Sequence, residues 1–143
     1  MRLPALHILT DTKIQSRFSH FELAKMAFAA GAVAVQYRNK SFDAGQDLEE
    51  LRAIATLAQL EKKVLIINDD TELAFQVGAQ GVHLGQEDGA IASARALLGP
   101  DAIIGATVHN LVELSALRGT SIDYIGLGPV YGTTSKVTGL PDL

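Results

Sequence analysis

An α/β fold built from repeated strand–helix units is what this sequence predicts. Short aliphatic and β-branched runs alternate with stretches whose apolar residues recur at helical spacing, in a unit of roughly 20–25 residues. The runs are mostly unbroken, as in parallel strands buried on both faces. Each run ends in polar residues and then a helix start. Such a repeat is typical of a (β/α) barrel or of an open doubly wound sheet. No G-x-G-x-x-G follows the first strand, which weakens a dinucleotide-binding reading. A complete barrel needs eight units in about 200 residues or more. The 143 residues hold six strands and five helices, so a barrel here is incomplete, with about six βα units in one domain, 1–143.

The elements follow in order. Leu6–Leu9 is the first strand, ended by Thr10 and Asp11, and Thr12–Ser19 is a polar loop. Phe21, Ala24, Ala27 and Phe28 give a helical stripe that Gly31 ends. Ala32–Val35 is the second strand and runs into Gln36, Tyr37, Arg38, Asn39 and Lys40. Leu48, Leu51, Ile54, Ala55 and Ala58 form the apolar face of the second helix. Val64–Ile67 is the third strand, stopped by Asn68, with Asp69 and Asp70 placed to cap the next helix. Leu73, Ala74 and Val77 face that helix inward, and Gly78 suits its exit. Gly81–Leu84 is the fourth strand, followed by Gln86, Glu87 and Asp88. Asp88 or Gly89 opens a fourth helix with Ile91, Ala94, Leu97 and Leu98, closed by Gly99 and Pro100. Ile103–Gly105 leads to Thr107 and His109. Asn110 with Glu113 resembles a capping box for the fifth helix. Tyr124–Leu127 is the sixth strand and opens into Gly128, Pro129 and the loop 131–136.

Bulk properties narrow the chemistry. Hydrophobic residues make up 48% of the chain, enough for a sizeable core. The net charge of −4, with no block of one sign, argues against a nucleic-acid or anionic-membrane surface. Without cysteine there is no disulfide, thiolate metal site or cysteine nucleophile. The opening residues do not read as a signal peptide and no apolar run spans a bilayer. A cytoplasmic protein is the expectation.

Four groups can carry chemistry, all but His83 at strand ends. Gln36, Arg38 and Lys40 alternate on one face of an extended segment and suit a phosphate or diphosphate. The plainer alternative is a solvated strand end whose cations pair with Asp43 or Asp47. Asp69 and Asp88 are hard oxygen ligands on adjacent strand ends, suited to Mg²⁺. The plainer alternative is helix capping, the commoner use of an Asp before a helix. Thr133, Thr134, Ser135 and Lys136 form a hydroxyl-rich loop with a cation, able to cradle a phosphate but lacking P-loop glycine spacing. His83, between apolar neighbours, reads as a hydrogen-bonded core residue. His109, at a strand end, is the better acid–base candidate.

Five blocks taken together resemble the thiamine-phosphate synthase family: VQYRNK (35–40), INDDTELA (67–74), GVHLGQED (81–88), IIGATVHN (103–110) and DYIGLGPVYGTTSK (123–136). The resemblance implies a TIM barrel, of which this chain is the N-terminal three-quarters. It implies joining of hydroxymethylpyrimidine diphosphate to thiazole phosphate, with Mg²⁺, giving thiamine phosphate and diphosphate. By the same resemblance Gln36, Arg38 and Lys40 grip the pyrimidine diphosphate, with Asn68 beside it. Asp69 and Asp88 hold Mg²⁺. Thr107, where the family usually has serine, stands near the pyrimidine and the leaving group. Thr133, Thr134 and Ser135 meet the thiazole phosphate, and Lys136 the diphosphate. Arg38, Thr107 and Lys136 are the expected catalytic residues. The family mechanism is dissociative and needs charge neutralisation and positioning rather than a strong base. Two other readings stand beside it: a thiazole tautomerase using His109, and a non-catalytic phosphate-binding fragment. An open sheet of six strands is expected to leave two edges and a bare inner face, and hence partial disorder, a homo-oligomer that covers the edges, or a chain cut from a longer parent.

Overall fold

The computed structural model describes residues 6–131. Six strands alternate with five helices: β1 His7–Thr10, α1 His20–Ala29, β2 Ala34–Tyr37, α2 Ala44–Leu60, β3 Val64–Asn68, α3 Thr71–Val77, β4 Gly81–Leu84, α4 Ile91–Leu98, β5 Ile103–Val108, α5 Leu111–Ala116 and β6 Tyr124–Leu127. All neighbours are parallel and the strand order is β1-β2-β3-β4-β5-β6. That order decides between the two expected architectures. A doubly wound sheet reverses its order at a switch point. Here every strand adds to the same edge, which is how a TIM-type barrel is wound.

The main core lies between the sheet and its helices. Val35, Leu65, Ile67, Val82, Leu84 and Ile104 point outward against Phe28, Leu51, Ile54, Leu73 and Ala94. The opposite, inward face holds a second cluster of Ala34, Val64, Ile66 and Ile103, with Tyr124 packed on it. A bare inner face was expected, and the expectation fails because the sheet curls. The Tyr124 ring of β6 reaches the His7 ring of β1 at 5.0 Å between centroids. The space it needs comes from Gly105, where a Cβ would lie 2.2 Å from the Tyr124 ring. The two edges do remain among the described residues, and Ile125 and Leu127 on the outer side of β6 are exposed.

Strand and helix ends moved in instructive places. β2 begins and ends two residues later than its apolar run, because Gln36 and Tyr37 are buried in the strand. β5 continues through Thr107 to Val108. Ser19 and Glu22 form a full capping box on α1 that the sequence reading passed over. Of the two acids before α3, Asp70 alone caps it, accepting from Leu73 N at 2.8 Å. Neither Asp88 nor Gly89 caps α4, whose N-cap is Ala90 without a side-chain bond. Asn110 caps α5 through Val112 N and Glu113 N, each at 3.0 Å. Glu113 reaches back to accept from His109 N and from the Asn110 side-chain amide, each at 2.7 Å, rather than from the backbone N–H of the cap residue. None of the residues of α5 is buried.

His20 ties α1 to β1. Its ring is buried, with Nδ1 2.7 Å from Thr10 Oγ1 and Nε2 3.3 Å from Thr12 Oγ1. Burial lowers its pKa, against an opposing pull from Glu50, Asp11 and Asp47. The unfolded chain therefore takes up this proton at higher pH than the folded one. The stability tied to neutral His20 is lost as pH falls through the ordinary imidazole range, near 6.5. Urea denaturation above and below that range should show a smaller acid loss for His20→Gln than for the parent; equal losses would remove His20 as the cause.

Candidate active site

The carboxyl ends of the strands open onto one cleft of about 580 Å³. Gln36, Arg38, Lys40, Asn68, Asp69 and Thr107 all line it, so six of the residues singled out in the sequence converge. Thr133, Thr134, Ser135 and Lys136 lie outside the described residues.

Gln36 is buried in β2 on the inward face, one turn of the pleat below Arg38. Neither cation pairs with Asp43 or Asp47. Asp43 caps α2 through Gly45 N at 2.8 Å. Asp47 accepts from Asn39 Nδ2 at 3.0 Å and from Asp43 N at 2.8 Å. Arg38 instead donates to Asp11 from the end of β1, and both side chains are largely buried. Lys40 donates to Asp69 across the mouth of the cleft. Tyr37, on the other face, stacks on His20 at 4.5 Å, and burial pushes its pKa up to about 12.

Asp69 owes its direction to its backbone. It has φ 71°, the left-handed region that Asp tolerates better than most residues. The turn leaves capping to Asp70 and aims the Asp69 carboxylate at Lys40. Strain of this kind gathers at functional sites. Asp88 also turns away from its helix and accepts from Gly85 N at 2.6 Å. Its pKa is raised, first by burial and then by a hydrogen bond with the Asp69 carboxyl; the Gly85 amide and Lys40 oppose this. Two carboxyl groups crowded enough to share a proton are a donor set that a divalent cation relieves. Among the described residues no three His, Cys, Asp or Glu groups converge on one point. Two carboxylates, completed by substrate oxygens and water, fit Mg²⁺ rather than a closed protein cage.

The floor of the cleft is polar and internally bonded. His83 Nε2 lies 2.8 Å from Thr107 Oγ1, and His83 Nδ1 lies 2.9 Å from the Tyr124 hydroxyl. Gln36, buried in β2, lines the cleft beside them. Burial lowers the His83 pKa, helped by His7 and opposed by Asp69. It likewise raises that of Tyr124. Gly126 makes room, since a Cβ there would lie 3.3 Å from the imidazole. His83 is thus hydrogen-bonded as expected, yet it lines the cleft instead of the core. His109 lines it too, with Nδ1 2.9 Å from Glu113 Oε2. The sequence reading missed Asp11, which follows β1 as Asp69 follows β3, and that parallel was the available signal. Nothing in the sequence marked Tyr124.

Parallel strands wound in order, with cations, carboxylates and amides at one set of strand ends, define a TIM-type α/β protein with a mixed-charge cleft. Comparison with known proteins narrows the class. The thiamine monophosphate synthase family model matches residues 6–142. The thiamine-phosphate synthase of Salinibacter ruber is 43% identical over 131 residues, which are 92% of this chain and 58% of that protein. That of Chromobacterium violaceum is 44% identical over 117 residues, 81% of this chain and 56% of the relative. Among solved structures, thiamine phosphate pyrophosphorylase from Pyrococcus furiosus superposes with a TM-score of 0.75 at 30% identity, covering 87% of this chain and 60% of that one. The chain belongs to the thiamine monophosphate synthase family. It spans about six-tenths of the length of the relatives it matches. No helix among the described residues is long and apolar enough to cross a membrane.

Proposed function

We propose that this chain carries the pyrimidine-diphosphate side of a thiamine-phosphate synthase site, and is the first six βα units of an eight-unit barrel. The observation that supports the reading is the meeting of Arg38, Lys40 and Asp69 around one cleft with Gln36 and Thr107 beneath them, and Asp88, which does not itself line the cleft, beside Asp69. In the reaction, the bond from the pyrimidine methylene carbon to the diphosphate oxygen breaks, and the thiazole nitrogen forms the new bond to that carbon. Negative charge builds on the leaving diphosphate. Arg38 presents a planar fork of donors to it and Lys40 a compact charge. Asp69 and Asp88 would hold Mg²⁺, which when bound neutralises diphosphate oxygens. Asn68, in register with His83 on the neighbouring strand, would lie beside the diphosphate. Lys136 and the hydroxyls of Thr133, Thr134 and Ser135 complete the proposal from the following loop. The His109–Glu113 pair would suit the isomerase reading. The paired cations and carboxylates favour the synthase, because a proton shuttle has no use for them.

The test is formation of thiamine phosphate and diphosphate by the purified chain, given both substrates and Mg²⁺. Product above background supports the synthase reading. If a folded sample makes none, calorimetric titration with diphosphate and Mg²⁺ separates a binding fragment from a chain with no such site. Asp69→Asn keeps a residue that accepts the left-handed turn and removes the charge. It should raise the Mg²⁺ concentration needed for half-maximal response about 10–100-fold. An unchanged Mg²⁺ titration would remove Asp69 as a ligand.

A further inference from the structure

The rim of the cleft is charged on one side only. Arg38, Lys40 and Asp69 stand just past the ends of β2 and β3. The β1 side is apolar: Leu9 in the strand, Ile14 in the loop after it and Leu23 in α1 line the same space. Leu9 is 55% exposed and Ile14 70%. Apolar side chains left open to a cleft beside charged groups suit a ligand with one apolar and one anionic part. The place of Ile14 is built, because the loop around it spends its polar groups locally. Thr12 Oγ1 lies 3.3 Å from His20 Nε2. The Gln15 side chain accepts from Arg17 N at 3.1 Å and Phe18 N at 3.0 Å, and donates to Phe18 O at 2.8 Å. Gln15 therefore lines the cleft with its amide already engaged, and what the loop offers a ligand there is Ile14. Asp11 holds the start of this loop. Its Oδ1 accepts from Lys13 N at 2.9 Å, its backbone oxygen accepts from Gln15 N at 3.4 Å, and its Oδ2 accepts from Arg38. One carboxylate thus grips both the residue before Ile14 and the nearer cation of the rim.

We infer that Ile14, with Leu9, is a specificity-determining wall for the ring of a ring-bearing diphosphate, and that Asp11 sets this wall against the anion grip of Arg38. Ile14 touches the ligand; Asp11 is a positioning residue. The ring meant is the one that carries the diphosphate, an assignment that rests on the synthase reading and deepens it. A ring joined to its diphosphate by one methylene stays close to the cation that holds the phosphates. Asp11 keeps the wall within that short reach, since the same carboxylate is bonded to both sides. Inorganic diphosphate presents the anionic part alone and the hydroxymethylpyrimidine alcohol the ring alone, so each probes one side of the cleft.

Calorimetric titrations of the full chain with Mg²⁺ present test it, with melting temperatures recorded alongside. Ile14→Ser should raise the Kd of the pyrimidine diphosphate about tenfold and leave that of inorganic diphosphate within about twofold. Ile14→Val should stay within about threefold for both. Equal changes for the two ligands in Ile14→Ser, or none for either, overturn the wall. Asp11→Asn keeps an acceptor for the Lys13 N–H and should change both Kd values by the same factor. Asp11→Ala frees the loop as well, and should lower the preference for the ring-bearing ligand about fivefold. A role in folding alone would lower the melting temperature without moving that preference, and an unmoved preference overturns the assignment of Asp11. If the parent binds neither diphosphate, the synthase reading fails and the wall is tested without it. The hydroxymethylpyrimidine alcohol, at millimolar concentration, should then shift the Ile14 methyl signals in ¹³C–¹H correlations through its ring current. The methyl signals of Leu60, exposed on α2, should stay in place. Unmoved Ile14 methyls overturn the wall as well. Diphosphate binding that is indifferent to Ile14→Ser counts against the wall alone.

Discussion

Arg38→Ala should reduce kcat/KM by roughly thirty- to a thousandfold, about 2–4 kcal/mol of transition-state stabilisation, if its guanidinium meets the leaving diphosphate. The structure also supplies the necessary control. Arg38 is paired with Asp11 where both side chains are largely shielded from water, so removing the cation alone leaves an uncompensated carboxylate. Breaking such a pair commonly destabilises by about 3–5 kcal/mol. A drop in activity in the single variant therefore mixes folding with chemistry. The double variant Arg38→Ala with Asp11→Asn removes both charges and should recover much of the folding loss. It should stay as inactive as the single variant, because the neutral pair offers the diphosphate nothing. Arg38→Lys should fall between, since an ammonium supplies charge without the planar fork. Steady-state kinetics beside urea denaturation would separate the two effects. Full activity in the double variant would sink the assignment of Arg38 to the leaving group.

Leu51→Ala should cost about 2–5 kcal/mol of folding stability, the largest single loss expected from the core. Leu51 is wholly buried in α2, among the residues that fasten that helix to the sheet. Truncation removes apolar contacts on all sides, and the close-packed neighbours can refill the space only in part. Against a total of about 5–15 kcal/mol for an ordinary domain, that brings the chain near its limit. Leu60→Ala near the end of the same helix is the comparison. Leu60 is 76% exposed, and its loss should fall within about 0.5 kcal/mol. Urea midpoints with unchanged slopes would test the pair. Similar losses for both would mean that α2 does not seat as described.

Apolar patterning made the strands and the first four helices legible, because buried parallel strands leave unbroken apolar runs and one-sided helices a 3.6-residue period, while α5 was read from its cap. What it missed was set by partners distant in sequence. β2 extends past its apolar run because Gln36 is buried on the curled inner face and Tyr37 meets the His20 ring. No local pattern could announce either. The same holds for Asp69, whose left-handed φ decides between capping and facing the cleft. Asp and Asn tolerate that region, but nothing in NDDT says which of the two acids adopts it. Arg38 and Lys40 were found by alternation, while their acceptors, Asp11 and Asp69, come from other βα units. The cleft was readable as a list of residue types at strand ends. Its wiring was not.

The unbroken strand order has a bearing on how the chain acquires its shape. Each strand pairs only with its predecessor and successor, so every ladder can close as soon as the next unit has emerged from the ribosome. The loops that must close are short, and so is their entropic toll. Among the described residues one ring contact spans the whole series: the meeting of His7 and Tyr124 joins β1 to β6. It can form only after the whole curl exists. The floor of the cleft, which hangs on that same tyrosine, is therefore a late acquisition, and nascent chains stopped before β6 would carry the charged rim without the surface beneath it.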